Sequence, residues 1–141
     1  MKVFYASLAL TIAGNVLYHL SQKSIAGGVH PIVSIIASYL IAIVLAFAVL
    51  IAIPLREPLL VEVRRLNWAT VGVGLSVLAV EIGFLLAYRA GWRISIASVS
   101  TNTAVALVLL PTGVFIFREH LSMTNIVGLV LCAIGLVLVT R

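Results

Sequence analysis

Five long apolar runs separated by short polar segments make up most of this chain, and they restrict what it can fold into. Each run approaches the ~20 apolar residues that an α-helix needs to cross a bilayer. The runs are Val3–Gln22, Pro31–Ile53, Trp68–Tyr88, Ile94–Phe117 and Met123–Thr140. We therefore predict an all-α integral membrane protein with five transmembrane helices in a single domain, residues 1–141.

The composition favours lipid as the main partner of the protein surface. Of the 141 residues, 63% are hydrophobic and 9% are charged, whereas a soluble domain commonly has about a quarter of its residues charged. The net charge of +5 is spread over several loops, which argues against a nucleic-acid partner. The single cysteine, Cys132, excludes an intramolecular disulfide and leaves no thiol motif for a metal.

The ends of the runs carry residues that are typical of helix boundaries. Pro31 is suited to the first turn of the second helix, and Ser122 is suited to cap the last one. Trp68 and Trp92 fall at ends of spans, where amphipathic rings lie at the level of the lipid headgroups.

Glu81 is the only carboxylate inside a predicted span. A charge near the bilayer centre costs at least ~2.5–3.5 kcal/mol, so such residues commonly mark an ion, proton or substrate path. The alternative is a structural role, with Glu81 protonated or paired with His19 or an arginine.

Polar residues of the first four helices fall at similar predicted depths. With ~1.5 Å of rise per residue, Asn15, Glu81 and Asn102 lie about 4–5 Å from the span midpoints toward the same side. Thr11, Asn15, His19 and Gln22 share one face of the first helix. We expect a polar cavity open toward that side, with Glu81 near its floor. The candidate residues for binding substrate and protons are Glu81, Asn15, Asn102, Tyr88, His19 and Tyr39.

Simpler roles stay open for several of these residues. Asn15 and Asn102 are also suited to helix–helix hydrogen bonds worth ~0.6–2 kcal/mol each. His19 lies near the end of its helix, where an interfacial histidine needs no further role.

The last span carries a ridge of small residues, Gly128, Cys132 and Gly135. Such residues let two helices approach closely. The ridge predicts a subunit interface, or alternatively packing within one subunit.

The loop charges leave the orientation in the membrane nearly balanced. Lys2, Arg56, Arg64, Arg65 and Arg118 fall on one side, and Lys23, Arg89, Arg93 and Arg141 on the other. The positive-inside rule infers the orientation from the difference in Lys and Arg content between the two sides, which is five against four here. Either the Arg64–Arg65 pair sets one orientation, or the chain inserts in both and forms an antiparallel pair.

The second half of the chain resembles a repeat of the drug/metabolite transporter superfamily. The strongest match is Phe117-Arg118-Glu119-His120-Leu121-Ser122, followed by the helix that contains Gly128 and Gly135. It is similar to the Glu-x-Leu-Ser signature and glycine-bearing last helix of EamA-type repeats. Pro31 opens the second span as in that family, but Ser38 and Tyr39 stand where many members carry an arginine.

The resemblance implies an architecture and a function. Most relatives have two five-helix repeats of opposite orientation, so one repeat implies completion by an inverted second copy or a homologous partner. It implies a secondary transporter of small metabolites or drugs in a prokaryotic inner membrane. Glu81 would exchange protons for substrate.

Two other functions stay open, and one class is not expected. The chain can be an accessory subunit of a heteromeric pair, or a flippase for lipid-linked substrates. Since the sequence has no nucleophile–base pair, metal cluster or phosphate-binding loop, we expect neither an enzyme nor a bound metal or cofactor.

Overall fold

The computed structural model describes residues 1–25, 27–53, 55–118, 120 and 122–140. Three residues used in the sequence predictions lie outside these ranges: Glu119 and Leu121 of the signature, and Arg141 of the charge count. Every regular element within the described ranges is an α-helix. The helices are α1 (Lys2–Ser24), α2 (Pro31–Ala52), α3 (Leu59–Arg64), α4 (Trp68–Arg89), α5 (Ile94–Phe117) and α6 (Met123–Thr140).

The five predicted apolar segments are all helical, as α1, α2, α4, α5 and α6. Helices α1, α2, α4 and α5 are long and apolar enough to cross a membrane, whereas α6 is shorter, with Met123–Val139 as its apolar stretch. The helices thus fit a multi-pass membrane protein with at least four spans. Helix α3 was not predicted, because its six residues are too few for a periodic pattern.

The residues at the helix ends explain where the elements begin. Pro31 occupies the first turn of α2, as predicted. The prediction for Ser122 is also confirmed, since its Oγ accepts a hydrogen bond from the Asn125 backbone N–H at 3.2 Å. At the start of α4, Asn67 Oδ1 accepts from the Ala69 backbone N–H at 2.9 Å. Each cap satisfies a backbone donor that a helix start leaves unpaired.

Helix α5 carries two conformational features near its C-terminal end. Pro111 lies inside the helix and has no N–H to donate to the preceding turn. Arg118 ends α5 in the left-handed region at φ 53°, and its N–H donates to the Gly113 carbonyl. This conformation is uncommon for a residue other than glycine, and it terminates the helix.

Seven serine and threonine hydroxyl groups in the described spans bond to the backbone of their own helix. Thr11 donates to the Ser7 carbonyl at 2.9 Å, and Ser98 donates to the Ile94 carbonyl at 2.9 Å. This pattern satisfies polar side chains inside lipid without a second helix. The same arrangement holds for Ser7, Ser34, Ser38, Ser76 and Thr112.

The chain divides into two compact units. One comprises Met1–Leu20 and Ala90–Arg141, and the other comprises Ser21–Arg89. In the first unit α5 packs against α6, and in the second α2 packs against α4. Only 6% of the most apolar stretch of each long helix is buried, so most of the apolar surface is available to lipid or to another chain.

Candidate functional site

Glu81 is held by a hydrogen bond within the Ser21–Arg89 unit. It lies half-buried on α4, one turn before the buried Leu85. The donor is Gln22 of α1, whose side-chain Nε2 donates to the Glu81 Oε2. Gln22 itself is only 6% exposed. The partner that the structure gives Glu81 is thus an uncharged amide, which the sequence reasoning did not name.

Tyr39 of α2 completes what we call the carboxylate cluster: Gln22, Tyr39 and Glu81. Tyr39 lies within electrostatic range of the Glu81 carboxylate. Among the described residues, the buried Tyr39 hydroxyl and the buried Gln22 Oε1 have no hydrogen-bond partner. A buried polar atom left unpaired costs ~1–3 kcal/mol. The cluster thus contains two buried atoms whose hydrogen-bonding capacity is unused within the described structure.

Aromatic and basic side chains lie about two helical turns beyond Glu81, at the end of α4. Tyr88 is buried and stacks with Phe84 at 6.0 Å between ring centroids. Lys23 Nζ lies 5.6 Å from the centroid of the Tyr88 ring and 3.5 Å from the Tyr88 carbonyl oxygen. Arg89 Nη2 donates to the Val29 carbonyl. Both cations are thereby held at the helix ends, where long basic side chains reach polar surroundings.

The carboxylate cluster offers one titratable acid beside two neutral hydrogen-bonding groups. Glu81 can accept a proton or a cationic group, while Gln22 keeps its side chain oriented through the hydrogen bond. Since Gln22 does not titrate, protonation of Glu81 changes the charge of the whole cluster by one unit.

A second polar region lies in the other unit, between α1 and α5. We call it the polar groove, and its volume is about 280 Å³. It is lined by Thr11, Ile12, Asn15, Val16, His19, Ser98 and Asn102. The structure thus brings together Asn15, His19 and Asn102, three of the predicted site residues.

The six predicted site residues therefore separate into two groups. Glu81, Tyr39 and Tyr88 belong to the Ser21–Arg89 unit, and the other three line the polar groove of the first unit. The cavity that was expected to join all six stays a prediction.

Gln22 is the residue that the sequence reasoning left out of the site. The polar stripe on α1 includes Gln22, which follows His19 by three residues on the same face. The available signal was its position in that polar stripe, combined with the need of an intramembrane carboxylate for a donor.

The small residues of α6 lie on an open face. Gly128 and Cys132 are exposed, and Gly135 is half-buried. A Cβ atom added at Gly128 or Gly135 would meet no atom of a neighbouring element within 4 Å. Within the described part of the chain, these glycines are thus not used for a close helix contact.

Comparison with known proteins gives this chain no relative from which a role can be transferred. No family model matches the sequence, and neither a curated protein nor a solved structure gives a significant match.

Proposed function

We propose that this chain is a secondary transporter of small metabolites or drugs, coupled to protons through Glu81. It works in a prokaryotic inner membrane as an inverted homodimer of the drug/metabolite transporter type. The proposal joins the resemblance in the sequence to the geometry around one intramembrane carboxylate.

The observation that carries the proposal is the carboxylate cluster. Glu81 lies on an apolar helix of 22 residues. A charge in such a helix is costly and commonly marks a functional site. The hydrogen bond to Gln22 orients the Glu81 side chain, and Tyr39 lies within electrostatic range. The two unpartnered atoms of Gln22 and Tyr39 give a bound substrate groups to contact.

The cluster supports a simple exchange mechanism. A substrate that contacts the Glu81 carboxylate competes with a proton for the same oxygen atoms. Binding of one therefore releases the other. When the site opens alternately to the two sides of the membrane, the proton and the substrate cross in opposite directions. In transporters built from inverted repeats, the halves rock around a site near the bilayer midplane.

The dimer supplies the second half of such a transporter. Helix α6 has 18 residues, about 27 Å at 1.5 Å per residue, which is close to the thickness of thinner bilayers. We take it as the fifth span. Its open face around Gly128 and Cys132 is suited to contact the same helix of an inverted copy.

Transport by the purified protein in liposomes tests the function directly. The compounds are two tritiated cations, the apolar tetraphenylphosphonium and the polar glucosamine, and the neutral polyol sorbitol. We expect a pH gradient to drive accumulation of at least one of them. Glu81→Gln should reduce that gradient-driven accumulation at least about tenfold, because the amide cannot exchange a proton.

Glu62→Gln is the matched control, since Glu62 lies outside the spans on α3. It should transport like the unchanged protein. Full pH-dependent transport by Glu81→Gln would refute the coupling role. If the protein accumulates none of the three compounds, the result favours the accessory subunit.

Reporter fusions at the C-terminus test the inverted dimer. One reporter is active only in the cytoplasm, and the other is active only outside. We expect signal from both, because dual insertion is needed for an antiparallel homodimer. Signal from only one would contradict it and favour a heteromeric pair.

A further inference from the structure

The polar groove between α1 and α5 carries an inference about the kind of molecule that this protein binds. Of the described residues that line the groove, only His19 can carry a charge. A charged ligand would therefore lose its hydration without gaining an opposite charge from a carboxylate, lysine or arginine. The lining favours an uncharged ligand.

The hydroxyl groups in the lining can accept hydrogen bonds but have no proton left to donate. The single hydroxyl proton of Thr11 is used on the Ser7 carbonyl, and that of Ser98 on the Ile94 carbonyl. The oxygen lone pairs of both side chains remain available. An occupant of the groove thus has to supply O–H or N–H donors.

The two asparagines in the lining provide both donors and acceptors. Asn15 and Asn102 are exposed and have no hydrogen-bond partner among the described residues. Both lie near the midpoints of apolar helices, where an amide facing lipid is unfavourable. Each amide offers two N–H donors and one carbonyl acceptor. A hydroxyl group, which both donates and accepts, satisfies this combination.

The geometry points to the polar groove as a binding site for a small, uncharged, hydroxyl-rich molecule of the polyol or sugar class. Its volume of about 280 Å³ lies just below the ~300–1,000 Å³ typical of ligand pockets, so the ligand is small. This inference goes beyond the proposed function, because it assigns a ligand class to a second site that shares no residue with the carboxylate cluster. The site is formed by residues of one unit and does not require the Glu81 charge.

Direct binding measurements in lipid nanodiscs test the inference. Tritiated sorbitol, glucosamine and gluconate share a six-carbon hydroxylated skeleton but are neutral, cationic and anionic, respectively. We expect saturable binding of sorbitol at millimolar concentration or below. The other two compounds should bind at least about tenfold more weakly. The comparison is repeated in Glu81→Gln, so that attraction of glucosamine to the carboxylate is removed.

Substitutions in the groove should affect this binding in a pattern set by hydrogen bonding. Asn15→Leu and Asn102→Leu should each weaken sorbitol binding at least about tenfold, whereas Asn125→Leu, outside the groove, should not. Thr11→Val should weaken binding, and Thr11→Ser should restore it because the accepting oxygen is kept. Thermal unfolding of each variant identifies those that fail to fold, and Thr11→Ser keeps the test valid in that case.

Three outcomes would overturn the inference. They are the absence of saturable sorbitol binding, stronger binding of either charged compound in Glu81→Gln, and unchanged sorbitol binding in both asparagine variants. In the third of these outcomes, a fall in dimer fraction would assign the asparagines to helix contacts instead. Binding of sorbitol without any transport would leave the inference standing and refute the transporter. Gradient-driven transport of tetraphenylphosphonium without sorbitol binding would do the reverse.

Discussion

The side-chain amide of Gln22 donates a hydrogen bond to the carboxylate of Glu81, and so connects α1 to α4. Gln22 is almost fully buried, and this bond orients the acid within an apolar environment. A neutral donor positions the carboxylate without cancelling its charge. Glu81 therefore keeps its capacity to bind either a proton or a cationic group.

Loss of this bond should weaken the fold. Gln22→Leu removes the donor and leaves the Glu81 carboxyl group without its partner, which costs about 1–3 kcal/mol of unfolding free energy. Thermal unfolding in nanodiscs measures the change. Ser38→Ala is the control, because the Ser38 hydroxyl bonds the Ser34 carbonyl of its own helix, and it should change stability by less than about 0.5 kcal/mol. Equal stability of both variants would contradict the prediction.

Tyr39→Phe should separate stability from transport. The Tyr39 hydroxyl is buried without a partner in the described part of the chain, so its removal should raise the unfolding free energy by about 1 kcal/mol. Transport should fall severalfold if the hydroxyl contacts the substrate. Melting temperature and uptake are measured on the same preparation. Tyr5→Phe, at an exposed position of α1, should alter neither. A Tyr39→Phe protein that is less stable would show that the hydroxyl is already paired.

Ser122→Ala should destabilise the start of α6. It removes the acceptor for the Asn125 backbone N–H, and loss of an N-cap costs about 1 kcal/mol. Hydrogen exchange of the first-turn amides of α6 reports the loss locally. Ser122→Asp keeps an acceptor and should retain protection. Similar exchange in both variants would mean that the cap does not hold this helix end.

Gly128→Leu should disrupt association without disrupting the single chain. Because a Cβ at Gly128 meets no neighbouring element within 4 Å in the described structure, the unfolding free energy of one copy should change by less than about 0.5 kcal/mol. The dimer fraction in native mass spectrometry should fall. Gly74→Leu on α4 has equally open surroundings and should leave the dimer intact. A similar loss of dimer in both variants would argue against α6 as the interface.

Cys132 should form an intermolecular disulfide if α6 contacts its counterpart. It is exposed and is the only cysteine in the chain. A disulfide requires Cα atoms within about 7 Å, so mild oxidation with copper phenanthroline reports direct proximity. Val130→Cys in a Cys132→Ser background moves the thiol by ~200° around the helix and should cross-link poorly. Equal cross-linking of both proteins would indicate random collision.

The main helices could be predicted from the sequence because their lengths and hydropathy are set by the bilayer. The predicted and observed ends of the second run, Pro31–Ile53 and Pro31–Ala52, differ by a single residue. Helix α3 escaped prediction because Leu59–Arg64 is too short to show a period. Local signals such as Pro31 and Ser122 sufficed for the helix starts, since caps depend only on neighbouring residues.

The candidate site could be predicted only in part, because the residues of one helix do not determine which residues of another helix they contact. The stripe on α1 predicted that Asn15 and His19 face the same way, and matched depth predicted their meeting with Asn102. The partner of Glu81 could not be chosen this way. Gln22 and His19 are both on that stripe, three residues apart, so the stripe alone does not choose between them.

The sparse burial of the four long helices makes the lipid a determinant of this structure. Side chains such as Leu109 and Val108 on α5 are largely exposed, and few of them gain contacts from the rest of their own chain. Acyl chains of matching length would fill these contacts, whereas shorter or longer ones would impose tilt or thinning. The bilayer thus acts on this protein as a ligand of many weak sites. A bilayer whose thickness matches the helices stabilises them as a conventional ligand stabilises the state that it binds.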